Sequence, residues 1–388
     1  MLLKEILTYK KGKSPQKEFT SGKLVLYLTP EYLRGKSEPN MINDFPNKVE
    51  VADGDLLLLW DGSNAGEFFI GKKGILSSTM VKLNYSFKKY NKEFLFYQLK
   101  SFENYLKAQT NGSGIPHVDK EILLGLNVDQ FTKSEQARIA AILSTADEAI
   151  ANTEALIAKY QSIKTGLMQD LLTCGIDEKG NILSKRTHKF VKKNGIEVPV
   201  EWDVVRLKDC VKKGTVITYG IVQTGEHQKE GISVLRTVDL KDDHIDYSKL
   251  LKTTSEISNV YKRTILQEGD LVCNVRASVG DFNIIPKVLE GVNTTRGVAR
   301  ISPKKEISNY FLLWFLKSEK NKRQIELLVK GTTFIDINIA DLREIFVCLP
   351  KSTFEQEKIA DILNNTLQII QNQKANLAKL QSIKTGLM

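Results

Sequence analysis

The sequence predicts an α+β protein made by internal duplication: two globular domains separated by two long antiparallel coiled-coil helices, the copies related by a pseudo-twofold. Three observations carry this. Residues 135–168 align without a gap on residues 355–388, with 19 of 34 positions identical. The identities include Glu135-Gln136 with Glu355-Gln356, and all of Gln161-Ser162-Ile163-Lys164-Thr165-Gly166-Leu167-Met168 with Gln381 to Met388. Apolar residues in both stretches recur at alternating three- and four-residue steps, the signature of a helix with one buried seam. The chain before each stretch holds short apolar runs bounded by Gly, Pro, Asn and Asp, which read as strands.

The first globular domain covers residues 1–133, with Leu24-Val25-Leu26-Tyr27-Leu28 and Asp55 to Trp60 as strands and the aromatic segment 94–106 as an amphipathic helix. The first long helix covers 134–172. Its stripe runs through Ile139, Ile142, Leu143, Ala146, Ala149, Ile150, Leu156, Ile157, Tyr160, Ile163 and Leu167. Thr132 or Ser134 can cap it, with Glu135 in the first turn. At 1.5 Å per residue the repeated 34 residues make a rod of some 50 Å. A linker over 173–198 carries Gly175, Gly180 and Gly195 and the cations Lys185, Arg186, Lys189, Lys192 and Lys193, and reads as a solvated charged loop with phosphate contact as the alternative.

The second globular domain covers 199–352 and repeats the first at an offset of about 215–220 residues: Gly54-Asp55-Leu56 parallels Gly269-Asp270-Leu271, and Phe94 to Ser101 parallels Phe311 to Ser318. Gly112 parallels Gly331. The second long helix covers 353–388, with the stripe Ile359, Ile362, Leu363, Ile369, Ile370, Leu377, Leu380, Ile383 and Leu387, and with Ser352 or Thr353 as its cap. Thr153, Gln373 and Asn376 fall on the seam, where polar residues fix register at some loss of stability.

Hydrophobic residues at 41% and charged residues at 26% are globular values, and no apolar run reaches the roughly 18–20 residues that span a bilayer. With no signal segment at Met1 to Glu5, the expected compartment is the cytoplasm, with no membrane partner. Cys174, Cys210, Cys273 and Cys348 are scattered, without metal-ligand spacing, and are expected to be buried thiols, with no metal site. The net charge of +10 favours a polyanion, because Lys and Arg on phosphates release condensed counterions.

Catalytic signatures are missing. There is no GxxxxGK[ST] loop, no strand–GxGxxG–helix arrangement, and no Asn/Asp-Pro-Pro-aromatic loop; Gly112-Ser113-Gly114 leads into Ile115-Pro116 and reads as a turn. His117, His188, His227 and His244 stand apart and read as surface or structural histidines. Three function classes follow: a DNA-reading subunit of a larger complex, a stand-alone pseudo-dimeric DNA-binding regulator, and an enzyme with an unrecognised site. The first fits the duplication best.

The residues resemble the specificity (S) subunits of type I restriction-modification systems over nearly the whole chain. The resemblance rests on Glu135-Gln136 through Gly166-Leu167-Met168-Gln169-Asp170-Leu171-Leu172 and its return at Glu355 to Met388. It rests also on Pro199 to Trp202 with Val204-Val205-Arg206-Leu207, and on Gly269-Asp270-Leu271 followed by Arg276 and Gly280. It implies two target-recognition domains, each reading one half of a bipartite, asymmetric double-stranded DNA target. It further implies two methyltransferase (M) subunits docked on the helices, around Gln161, Lys164, Gly166, Leu167, Gln381, Lys384, Gly386 and Leu387, with restriction (R) subunits joining that core. Methyl donor, ATP and magnesium would belong to those partners, leaving this chain a non-catalytic subunit without a cofactor. Two departures stand out: Leu3-Lys4-Glu5-Ile6 aligns with Leu207-Lys208-Asp209-Cys210, so Pro199 to Trp202 has no counterpart, and nothing after Met388 matches Gln169 to Leu172.

Two domains on such a rod could meet one face of a duplex about one turn, roughly 34 Å, apart. Base edges are read by side chains in the grooves, while cations on phosphates set register. In the second domain the candidates are Arg236, Thr237, Arg276, Ser278, Arg296, Thr332 and Thr333; in the first, Thr29, Trp60, Ser63, Asn111, Gly112 and Ser113. The structural alternative for Arg276 is an ion pair with Asp270 or Asp281.

Overall fold

The computed structural model describes residues 1–15, 22–86, 88–110, 114–240, 245–330 and 335–388. They form two compact units, residues 1–155 with 375–388, and residues 156–374. No helix among the described residues is long and apolar enough to cross a membrane.

Unit one holds two four-stranded sheets. In the first the strand order is Leu7–Lys11, Met80–Tyr85, Leu56–Leu59, Phe68–Ile70, all antiparallel. In the second, Asn40–Asn43, Leu24–Leu28, Gly74–Leu76 and Glu50–Val51 are neighbours, and Leu24–Leu28 runs parallel to Gly74–Leu76. Strand Leu56–Leu59 is a continuous apolar run because it is covered on both faces. Leu56 and Leu58 join Phe68, Phe94 and Leu95 in one core, while Leu57 and Leu59 join Leu28, Leu76 and Met80 in another. Side-chain alternation in a strand requires that split.

Unit two repeats the plan. Thr218–Tyr219, Val298–Ile301, Leu271–Asn274 and Phe282–Ile284 form the antiparallel sheet, and Ile232–Leu235 runs parallel to Asn293–Thr294. Leu271 and Cys273 face one core and Val272 the other. Helix Asn309–Leu316 has Phe311 through Leu316 buried, matching the helix Lys92–Ser101 of unit one. Unit two adds the strand Trp202–Arg206, paired with Phe346–Pro350.

Each central strand opens on the same device. Gly54 and Gly269 sit at φ +85° and +80°, where a side chain would be strained, and a Cβ there would meet Lys92 Nζ at 2.3 Å or Asn309 Nδ2 at 2.4 Å. The following aspartates, Asp55 and Asp270, accept a backbone N–H from Ala52 and Gln267.

The long helices span Lys133–Cys174 and Thr353–Leu387. Each contributes to both units. Within unit two, Leu171 and Leu172 share a core with Ile359, Ala360 and Leu363, and within unit one Asp147 meets Lys384, so the helices pass each other antiparallel in each. The seam is narrower than the apolar stripe. Leu143, Ile157, Leu363 and Ile370 are buried, but Ile142, Ile163, Ile369, Ile383 and Leu387 are exposed by 37–55%. In the adjacent pairs Ile142-Leu143 and Ile369-Ile370 only the second member is buried.

The polar seam residues behave differently from expectation. Thr153 is buried, but its hydroxyl donates to Ala149 O in its own helix at 2.7 Å; Asn376 lies exposed on the outside. A hydroxyl satisfied four residues back needs no partner helix, so it does not enforce register.

The stretch 173–198 is not a loop throughout: Phe190–Lys193 and Ile196–Pro199 form a β-hairpin. Its turn is Asn194-Gly195, with φ of 51° and 77°, the left-handed pair that a tight hairpin turn needs. Lys185 pairs with Glu197 at 2.6 Å and Lys193 with Asp203 at 3.2 Å, while Arg186, Lys189 and Lys192 are exposed.

Candidate nucleic-acid interface

In unit two, backbone bonds gather three segments at one end of the sheets. Thr295 N donates to Leu235 O at 3.0 Å and Val275 N to Gly297 O at 2.9 Å. Asn274, fully buried, donates from Nδ2 to Thr237 O at 3.1 Å and Ser278 Oγ at 2.8 Å. Arg236, Thr237, Arg276, Ser278 and Arg296 therefore share one rim.

The rim sorts these candidates. Arg236 is engaged by Asp239, with bonds of 3.1 and 2.9 Å, which holds its guanidinium charge more firmly than usual. Thr237 packs on Gly297, where a Cβ would come within 2.5 Å of Thr237 Cγ2. Arg276 and Arg296 are exposed and make no ion pair among the described residues. The alternative for Arg276 does not hold: Asp270 is taken by Arg300 at 2.7 Å and by Ser302 at 2.6 Å. Thr332 and Thr333, like Asn111, Gly112 and Ser113 of unit one, lie outside the described residues.

In unit one the corresponding rim carries different chemistry. Thr29 caps the helix Pro30–Leu33 by accepting from Tyr32 N at 3.2 Å. Trp60 stacks on Tyr9 with ring centres 4.8 Å apart and is half-buried, whereas Ser63 is exposed. Sequence reasoning missed Asp61, which pairs with Lys11 at 2.7 Å, and its bridge partner His117, which is exposed. Two polar residues far apart in the chain leave no local signal of such a pairing.

On the helices, Gln161, Gly166, Gln381, Gly386 and Leu387 are exposed, while Leu167 packs on the core of unit two. Lys164 and Lys384 turn inward. Lys164 stands over Trp314 in unit two and Lys384 over Tyr97 in unit one, each 5.8 Å from the ring centre. Trp314 Nε1 donates to Asn364 at 2.9 Å and Tyr97 OH to Asp147 at 2.8 Å. Burial and then Asp147 push the Tyr97 phenol well above its ordinary range, so it stays a donor.

The two helix starts share a second anchor. Gln136 accepts from Asn91 N at 2.7 Å and donates to Lys89 O and Phe131 O; Gln356 accepts from Ser308 N at 2.8 Å and donates to Glu306 O and Pro350 O. Both are buried, so each glutamine satisfies backbone groups that would otherwise lack a partner. Two thiols also bond to backbone carbonyls, Cys210 Sγ to Arg206 O at 3.6 Å and Cys273 Sγ to Asn274 O at 3.3 Å. Cys210, Cys273 and Cys348 are buried, with burial pushing Cys210 up to about 12, while Cys174 is half-exposed.

The description "Type I restriction modification DNA specificity domain" matches residues 1–161 and 199–382. The chain is 34% identical to the type I restriction enzyme MjaVIII specificity subunit of Methanocaldococcus jannaschii, over 99% of this chain and 89% of that one. It is 26% identical to the EcoBI specificity subunit of Escherichia coli, over 85% and 70%. The type I system S subunit from M. genitalium has the same fold, with a TM-score of 0.62 at 19% identity, covering 100% of this chain and 94% of that one. With a family match to each half and these relatives, the chain belongs to the type I restriction-modification DNA specificity family, as a two-domain DNA-recognition component and not an enzyme.

Proposed function

We propose that each unit reads one half of a split, asymmetric DNA target, and that the long helices set the spacing of the halves and carry the catalytic partners. One observation carries this reading: the framework recurs almost bond for bond, in Gln136 and Gln356 and in Lys384 on Tyr97 and Lys164 on Trp314, while the exposed rims differ. A kept frame with altered rims suits one docking geometry and two different half-sites. Thr29, Trp60, Ser63 and Asn111 to Ser113 belong to the first contact surface, and Arg236, Thr237, Arg276, Ser278, Arg296, Thr332 and Thr333 to the second.

Because Gln161 to Met168 returns as Gln381 to Met388, two methyltransferase subunits can use like surfaces, at Gln161, Gly166, Gln381, Gly386 and Leu387, with Lys164, Leu167 and Lys384 behind them. Restriction subunits join that core. Methyl donor, ATP and magnesium come with those partners, in the cytoplasm, and this chain contributes binding alone. The test is single-molecule methylation mapping of a host carrying this gene and its methyltransferase gene, against a host lacking only this gene. A split asymmetric motif that vanishes with the gene is expected. An unchanged methylome beside an active methyltransferase would reject the reading and leave a stand-alone DNA-binding regulator.

A further inference from the structure

The turn after each central strand is built by the same backbone bonds and carries different side chains. In unit one, Gly62 N donates to Pro116 O and Val118 N to Trp60 O, which bridges Asp61 to His117. In unit two, Ala277 N donates to Ile335 O and Ile337 N to Val275 O, which bridges Arg276 to Asp336. Residues bridged in this antiparallel way stand side by side, with Cβ atoms about 4.5–5.5 Å apart. Each rim thus presents one acid beside one nitrogen-bearing group, with the order reversed: Asp61 beside His117, Arg276 beside Asp336.

The mount of Arg276 is stiff. Ala277 is held at φ 64°, a conformation that costs a residue with a Cβ, and Asn274 bonds Ser278 from beneath. Asp61 is occupied by Lys11, His117 is exposed with no side-chain partner among the described residues, and Arg276 is exposed without an ion pair among them. An exposed arginine on a rigid turn, its guanidinium uncommitted to an ion pair among the described residues, suits bidentate recognition of guanine O6 and N7.

We propose that Arg276 and His117 are the specificity-determining residues at corresponding places in the two half-sites, Arg276 reading a guanine and His117 another base. This rests on the two-domain DNA reading above. Arg296, exposed between the strands Asn293–Thr294 and Val298–Ile301 and without an ion pair among the described residues, is assigned to phosphate.

The test uses the full chain in complex with its methyltransferase subunit, titrated against duplexes carrying the mapped motif and every single base-pair change in it. Arg276→Ala is expected to abolish discrimination at one G·C pair in one half-site, a loss of about tenfold to a hundredfold, with other positions unchanged. His117→Ala should move the loss to the other half, and Arg296→Ala should weaken all duplexes alike and lessen the salt dependence. An Arg276→Ala complex that keeps full discrimination everywhere, or loses it evenly in both halves, overturns the proposal while the DNA reading stands. A wild-type complex with no preference among the duplexes overturns the DNA reading itself.

Discussion

In unit one, Asp55 pairs with Lys82 at 2.6 Å and each side chain keeps 22% of its surface exposed; in unit two, the counterpart Asp270 pairs with Arg300 at 2.7 Å, with Asp270 at 0% and Arg300 at 11%. The helix starts differ in the same direction. Glu135 closes a capping box, accepting from Thr132 N at 2.8 Å at the surface. Glu355 is covered by the Trp202 segment, and accepts from Ile176 N at 3.1 Å and Trp202 Nε1 at 3.0 Å. Gly175 makes that possible, since a Cβ there would lie 2.5 Å from the Glu355 carboxylate. Equivalent residues in one scaffold thus do surface work in one copy and buried work in the other.

The sharpest way to test that contrast is to remove the two aspartates. Asp270→Ala leaves the Arg300 guanidinium buried and unpaired and should cost about 3–5 kcal/mol. Asp55→Ala, beside a lysine that can turn to water, should cost about 1 kcal/mol or less. Urea unfolding of each variant checks this, and equal losses would break the comparison. The glutamines are expected to show the reverse: Gln136→Ala and Gln356→Ala each strand buried backbone groups and should cost about 2–3 kcal/mol alike. A loss confined to one of them would show that the helix anchors have diverged as well.

The smallest effect concerns charge at the helix starts. Burial raises the Glu355 carboxyl above its ordinary range, outweighing its two donors, so the fold prefers the neutral form. Its contribution is fullest below the ordinary carboxylate range and fades as pH rises through the raised value. Glu135 is held low by Thr132, so its contribution is present at neutral pH and is lost as pH falls through the lowered value. Glu355→Gln, which keeps an acceptor without charge, should change stability at neutral pH by less than about 1 kcal/mol, and Glu135→Gln should lose a little. Unfolding of each glutamine variant against the parent, followed between about pH 3 and 8, should show opposite slopes; parallel slopes would contradict the assignment.

The repeat and the long helices were legible in the sequence because a duplicated octapeptide and a heptad stripe are local signals. The seam's true members were less so: Ile142 and Leu143 are adjacent and equally apolar, and only packing shows that Leu143 is buried. The Asn194-Gly195 hairpin was legible from its turn residues but was masked by the surrounding lysines. Among rim candidates, the sequence offered the arginines without separating Arg236, satisfied by Asp239, from Arg276 and Arg296. His117 and Asp336 acquire their place only through bridges to distant residues.

Lysines over aromatic rings lead to a last consequence. Tyr97, in the first copy, is covered by Lys384 from the second copy's helix, and Trp314, in the second, by Lys164 from the first copy's helix. Both lysines lie within the same eight-residue phrase. In genetic terms, two borders that encode the same eight residues flank the coding region of the second globular half. A crossover at either border would install a foreign half while returning a lysine to the place where the retained half needs one. The protein's inheritance can therefore change what is read without rebuilding what holds the readers.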